Sequence, residues 1–448
     1  MQRLNLFTLC SGVLIATYGC SESKTAGPGW PDSGPRDVRD FDISDPDPGP
    51  DDPDSLIPCD LFTDVLDVST YNVDIAAPIG LAGGHNKIWA FHYYKHTILE
   101  GFKLRSYVSN GNSTEDADLI EKQEIDTIAS PASPAIAVGP QNDLIIAYAG
   151  HAGGTNAYHL LKANGAWPPL PNPPDEGINP VAFSPGGNVN QVQVAPLPAA
   201  SVSESYTATD VVYAAAWRSP DGDGTLYYDV VQRGIHQTEG DHVIVSTTSA
   251  PYWSLSRGGL SPVLVYAETN GDAVDLKVRQ IHKTTGVLGA AQTVWTGRTI
   301  AEVAAIRIHN ESTLIVWTEI IASVRPEVHA AQLLDSGGIG REEIISKGAD
   351  PSNGIALAGL GDFAVLAYRG GPQTDKEVRV TMLKGDASFA FEGDVYGKFV
   401  VAELGDITGV DLSPPALVTS GDDTMVALAW SEADGTGRSR LALLSCTY

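Results

Sequence analysis

One pattern limits what this chain can become: an apolar run that ends in an aromatic residue recurs along its length. The clearest copies are "STLIVWTE" (312–319), "MVALAWSE" (425–432) and "SPVLVYAE" (261–268). "DLIIAYAG" (143–150), "DFAVLAYRG" (362–370) and "DVVYAAAWRS" (210–219) have the same form, and "KIWAFHYY" (87–94) is a looser first copy. The closing aromatics are Tyr93, Tyr148, Trp217, Tyr266, Trp317, Tyr368 and Trp430, spaced by 55, 69, 49, 51, 51 and 62 residues. Self-similarity at such a period marks a repeat array, each unit too small to bury its apolar faces alone.

The surroundings of each copy fit a unit of four antiparallel strands. Ahead of the run lies a stretch of small residues, as in "IGLAGG" (79–84), "AIAVGP" (135–140), "IALAGLG" (355–361) and "PALVTSG" (415–421). Gly and Ala are poor strand residues in general, but they suit strands whose backbones crowd around a central channel. After the run comes a turn, then a third strand such as "AVDLKVRQI" (273–281), "PEVHAAQLL" (326–334) or "KEVRVTMLK" (376–384). A more polar fourth strand closes the unit, as in "GREEIIS" (340–346) and "KFVVAE" (398–403). The expectation is an all-β fold over residues 59–448: a seven-bladed β-propeller of four-stranded antiparallel blades. The blades fall near 72–128, 131–180, 181–249, 250–299, 300–348, 349–405 and 406–448. Only "DLIEKQEI" (118–125) approaches a helical pattern, and it is short.

The N-terminal region reads differently. "MQRLNLFTLCSGVLIATYGC" opens with Arg3, continues with an apolar run too short to span a bilayer, and ends in small Gly19 and Cys20. "TYGC" resembles the lipobox of bacterial lipoproteins. That resemblance implies a signal peptide over 1–19, lipid on Cys20, and an exported protein anchored to the outer membrane or cell surface. An ordinary cleaved signal peptide is the alternative. Residues 20–58 are dominated by Pro, Gly and Asp. From 21 to 58 ten acids stand against Lys24, Arg36 and Arg39. Such a segment cannot bury enough surface to offset its ordering entropy, and it reads as an extended acidic tether. The net charge of the chain is -27 with no basic cluster, which argues against nucleic acid as a partner.

Export bears on the two remaining cysteines. The last unit has only three strands, "PPALVTSG", "MVALAWSE" and "RSRLALLSC", while "DLFTDVLDVS" (60–69) is a spare strand after the tether. As the outer strand of the last blade it would close the ring and set Cys59 beside Cys446. An oxidising compartment permits a disulfide between them.

Chemistry is harder to find. Glu268, Glu319 and Glu432 end their apolar runs at equivalent positions, so they lie on one face of the array. "SPDGDG" (219–224) adds Asp221 and Asp223 to the turns there. These acids form a candidate ligand face for a hard cation such as calcium or for a cationic group. Turn geometry and solubility explain the same residues. The ten histidines show no metal-ligand spacing, and no nucleophile elbow or phosphate loop is present. "AWPPLPNPPDEG" (166–177) reads as a stiff connector where a fourth strand should be.

The blades resemble sialidase-like and BNR-type propellers. "SPDGDGTL" is a single, altered version of the Asp box of those families. Asp223 stands where a Gly is usual, and Leu226 stands where an aromatic is usual. A sialidase also needs an arginine cluster, whereas Arg218, Arg257, Arg307, Arg325 and Arg369 are scattered without a signature. The expectation is therefore a tethered module that binds a protein or a glycan, with no assigned catalytic residue. The alternative is a glycan-directed hydrolase or lyase with its site in the funnel.

Overall fold

The central run of the second strand is apolar because it is covered on both faces. Val263–Ala267 and Thr313–Thr318 are buried without a break. The computed structural model describes residues between 59 and 446. It leaves out 1–58, 68–78, 123–134, 161–191, 198–210, 233–242, 391–398, 401–410 and shorter stretches. The expected signal peptide, Cys20, the tether, Asp221 and Asp223 lie outside the described residues.

Two short strands, β1 (Cys59–Leu61) and β2 (Leu66–Asp67), come first. The first full sheet is β3 (Gly80–Gly84), β4 (Lys87–Lys95), β5 (Glu100–Tyr107) and β6 (Ser113–Lys122). The second is β7 (Ala135–Val138), β8 (Leu144–Ala149) and β9 (Thr155–Leu160). The third is β10 (Val192–Pro196), β11 (Val211–Arg218), β12 (Leu226–Gln232) and β13 (Val243–Ser246). The fourth is β14 (Ser249–Leu255), β15 (Val263–Asn270), β16 (Ala273–Gln280) and β17 (Gln292–Arg298). The fifth is β18 (Ile300–Arg307), β19 (Thr313–Glu319), β20 (Glu327–Leu333) and β21 (Ile339–Lys347). The sixth is β22 (Ile355–Leu360), β23 (Phe363–Gly370), β24 (Glu377–Lys384) and β25 (Phe399–Val400). The last contains β26 (Asp411–Leu412), β27 (Ala416–Thr419), β28 (Val426–Ala433) and β29 (Arg438–Cys446), with β1 and β2 both paired to β29. The one stretch with a helical pattern is strand, since residues 118–122 belong to β6.

All these pairings are antiparallel, and all join sequence neighbours except those of β1 and β2 with β29 and of β26 with β28. The inner strands β3, β7, β10, β14, β18, β22 and β27 neighbour one another in that order, and β27 neighbours β3. This is an all-β propeller. The expectation of seven like blades is corrected: among the described residues five sheets have four strands, one has three, and the one holding the C-terminal strand has six. The Pro-rich run 166–177, read as a stiff connector where a fourth strand should be, lies outside the described residues.

The core lies between sheets. Val263, Val265 and Leu276 of the fourth sheet meet Ile315, Trp317 and Ala331 of the fifth. On its other face the fifth sheet gives Leu314, Val316 and Val328 to Ala364 and Leu366 of the sixth. The last sheet closes onto the first through Ala427, Ala429, Ile88 and Ala90. Trp89, Trp217, Trp317 and Trp430 are almost wholly buried. Each removes enough apolar surface to contribute roughly 4–6 kcal/mol of transfer free energy, an upper bound. Small residues are required where inner strands approach: a Cβ on Gly84 would stand 2.8 Å from Val138 Cγ1 of the next sheet. Polar ties cross the same seams. The Tyr213 hydroxyl donates to Asp143 Oδ2 at 3.0 Å, and Leu255 N donates to Gln193 Oε1 at 2.7 Å.

Candidate functional site

The densest polar cluster sits between the fourth and fifth sheets, at the end of the apolar run of β19. Alternation puts Trp317 and Glu319 on one face of β19. Register sets His329 opposite Trp317 and Glu327 opposite Glu319. Glu342 of β21 stands opposite Ala331, two residues along from His329 and so on the same face. The preceding sheet supplies Arg298, the last residue of β17.

These side chains converge. Arg298 Nη1 and Nη2 donate to Glu342 Oε1 and Oε2 at 2.9 and 2.8 Å, and Nη1 also donates to Glu319 Oε2 at 3.1 Å. The guanidinium lies 5.6 Å from the Trp295 ring and 5.4 Å from the Trp317 ring. The His329 ring stacks on Trp317 with centroids 5.4 Å apart and planes 13° apart. His329 Nδ1 is 2.9 Å from Glu342 Oε1, and Nε2 is 3.4 Å from Glu327 Oε2 and 3.8 Å from Glu319 Oε2. Despite this proximity, neither ring nitrogen has an aligned hydrogen bond. The bidentate bond from Arg298 holds the Glu342 carboxyl below its ordinary value, against the opposing effect of burial. Hydrogen bonding to Glu342 raises the Arg298 guanidinium in turn. Two acids pinned by one arginine are locked in charge and geometry, which suits structure better than proton transfer.

Glu268 and Glu319 occupy equivalent ends of β15 and β19, and each is engaged close to its own strand. Glu268 accepts from Lys277 of β16, which raises the lysine ammonium above its usual value. Among the described residues, the one cluster of potential metal ligands is Glu319, His329 and Glu342, and Glu268 is not in it. Glu432 is the register partner of Arg438, and its side chain lies outside the described residues. A common design underlies these positions. The aromatic that closes the second strand faces Lys277 from Tyr266, His329 from Trp317, Arg379 from Tyr368 and Arg440 from Trp430.

At the other end of the same two sheets lies an open cleft of about 690 Å³, bordered by Ser261, His282, Lys283, Arg307 and Glu311. A second hollow of about 360 Å³ shares Gln280, Arg307 and Glu311 with it and extends to Gln332 and Asp335. Arg307 Nη1 donates to Gln280 Oε1 at 3.0 Å, while Nη2 is 4.0 Å from Glu311. Glu311 is held at φ 68°. That left-handed conformation costs a residue with a Cβ roughly 1–2 kcal/mol. Sequence reasoning named Arg307 only as one of several scattered arginines and did not single out Arg298, His329 or Glu342. The signal for His329 was its period-2 spacing from Glu327, Ala331 and Leu333 on a face otherwise apolar.

Cys59 and Cys446 are Cα partners in the antiparallel register of β1 and β29.

No protein-family model and no curated protein matches the sequence. Solved structures of similar fold include a protein of unknown function from Dyadobacter fermentans. It is 11% identical, with a TM-score of 0.46 over 87% of this chain and 100% of that one. The α-L-arabinofuranosidase Arb93A of Fusarium graminearum is 10% identical, with a TM-score of 0.43 over 71% and 93%. NanB sialidase from Streptococcus pneumoniae (its K499G mutant) is 10% identical, with a TM-score of 0.41 over 87% and 70%.

Proposed function

We propose that this chain is a lipid-anchored, seven-bladed propeller that binds a glycan or protein ligand without transforming it. The observation that carries the reading is the open cleft between the fourth and fifth sheets. Its rim offers hydrogen-bonding groups of both signs, and it keeps a strained Glu311 where a Gly would be unstrained. Strain retained at a concave rim is a mark of a working site. The acid pair Glu319 and Glu342 is bonded to Arg298 and sits on the second and outermost strands, away from the channel.

A glycan-directed hydrolase is the second reading, and one observation favours it. Oxygens of Glu319 and Glu342 lie within 4.8 Å of each other, near the roughly 5–5.5 Å that separates the carboxyls of retaining glycosidases. A glycan array probed with the purified chain, alongside a panel of nitrophenyl glycosides, separates the two. The binding reading expects retention of one glycan class or a protein ligand from the same envelope, loss of that retention in Arg307→Ala, and no nitrophenol release. Release that disappears in Glu342→Gln would establish the hydrolase instead.

Seven blades are supported by seven inner strands that neighbour one another in a closed cycle. Anchorage at Cys20 rests on the resemblance of "TYGC" to a lipobox. Among the described residues no helix is long and apolar enough to cross a membrane. Mass spectrometry of the N-terminal peptide tests the anchor: acyl mass on Cys20 is expected, and an unmodified peptide from soluble periplasm would exclude it. Calcium is a separate candidate ligand, held at the face that carries Glu268, Glu319 and Glu432, at the end of the strands opposite the cleft. Calorimetry with calcium chloride tests that face, and no heat would remove it.

A further inference from the structure

A buried imidazole with neither nitrogen properly bonded is uncommon, because buried polar groups almost always find partners. His329 is 5% exposed, and both its nitrogens lack an aligned hydrogen bond. Its ring is nevertheless surrounded by carboxylate oxygens, with Glu342 facing Nδ1 and Glu319 and Glu327 facing Nε2. Oxygen donors gathered around an uncommitted imidazole are the components of a metal site.

We propose that Glu319, His329 and Glu342 bind a divalent transition-metal ion of the zinc type. One donor atom from each lies within 4.8 Å of the others. Metal bonds of roughly 2.0–2.2 Å put tetrahedral donors roughly 3.3–3.6 Å apart, so the donor separations close by at most roughly 1.5 Å to complete the set. Three protein donors leave a fourth position for water. Glu327 stands 3.4 Å from Nε2 and adds a further carboxylate beside the ring. Arg298 Nη2 keeps its bond to Glu342 Oε2, while the ion displaces Nη1 from Glu342 Oε1, the oxygen 2.9 Å from Nδ1.

Charge and ligand chemistry select the ion. Three carboxylates and one guanidinium gather at the ring, and a dication brings the group to neutrality. Calcium prefers six to eight oxygens and does not seek imidazole. The mixed nitrogen and oxygen set suits zinc or its neighbours. All three ligands come from consecutive strands of one sheet, β19, β20 and β21. The ion therefore clamps that sheet beneath Trp317. This inference does not depend on the cleft, which lies at the opposite end of the same strands.

The test uses the purified chain without a histidine tag, stripped with chelator and titrated with zinc chloride by calorimetry. One ion per chain is expected. His329→Gln is expected to weaken binding at least tenfold, and Glu268→Gln is expected to leave it unchanged. The wild-type chain loaded with cobalt(II) should show visible ligand-field bands of a tetrahedral nitrogen and oxygen site, a readout that needs no folded variant. Absence of saturable zinc binding, absence of those bands, or unchanged affinity in a folded His329→Gln chain would overturn the proposal.

Discussion

Replacing Arg298 with Met tests how far the interblade cluster supports the fold. Met keeps an apolar stem against Trp295 and Trp317 and removes the charge. The change breaks a bidentate bond to Glu342, a bond to Glu319 and two cation–π contacts. Exposed ion pairs contribute about 0–1 kcal/mol, and breaking a buried pair costs about 3–5 kcal/mol. Here the Arg298, Glu342 and Glu319 side chains are 28%, 26% and 21% exposed. The cost should fall between those limits, at about 2–4 kcal/mol near neutral pH. Its pH dependence identifies the cause. The Glu342 carboxyl is held below its ordinary value of 4.5 in the folded chain. Its contribution is therefore fully present above that value and is lost as pH falls through the lowered folded one. In the variant the Arg298 bonds are gone, and burial pushes the carboxyl upward against the remaining effect of His329. The stability gap between the two chains should be widest near neutral pH and should narrow below about pH 4.5. The bonds to Glu342 raise the Arg298 guanidinium above its ordinary value, so its own loss of charge lies far above this range. Urea unfolding followed by tryptophan fluorescence, in chelator, gives the gap at each pH. A gap under about 1 kcal/mol near neutrality, or one that persists unchanged in acid, would refute the electrostatic account.

Three further outcomes follow from the seams. Tyr213→Phe removes an O–H that donates to the buried Asp143 carboxylate, and should lower stability by about 1.5–3 kcal/mol in the same unfolding assay. Gly139→Ala should damage the same tie, because the new Cβ would stand 2.4 Å from both Asp143 Oδ1 and Tyr213 Oη. The double variant should cost less than the sum of the two single changes. Non-reducing peptide mapping of exported protein should recover Cys59 linked to Cys446, whose Cα atoms are ladder partners. Adjacent strands place such atoms about 4.5–5.5 Å apart, within disulfide reach, and two free thiols would end that expectation.

Much of the fold could be read from the order of residues because its main signal is local. "STLIVWTE" and "MVALAWSE" are apolar without alternation, and such runs become strands covered on both faces, β19 and β28. "IALAGL" and "GLAGG" are small because their backbones meet another sheet, as the Gly84 approach to Val138 demonstrates. Strand number was less legible. The last sheet gathers short pieces that no single periodic run announces, such as β2 and β26. The polar cluster was least legible of all. Arg298 and Glu342 are 44 residues apart, on strands of different sheets. Only the tertiary stacking of those sheets makes them partners.

The three glutamates singled out from the sequence have a physical logic of their own. A closing aromatic on the second strand is buried between sheets, and its cross-strand neighbour on the third strand is then forced against its ring. Where that neighbour is Lys277 or His329, a carboxylate two residues past the aromatic is in place to meet the positive or polar group. Glu268 and Glu319 thus recur because aromatic and basic residues recur, and a repeat in sequence preserves the trio. The fifth sheet departs from this rule in one respect. It uses an imidazole in place of a lysine and adds Glu327 and Glu342 around it. A lysine ammonium has three donors and no lone pair to offer a metal, whereas a neutral imidazole keeps one. The same position in the repeat is a closed ion pair at Lys277, and at His329 it retains the capacity to ligate.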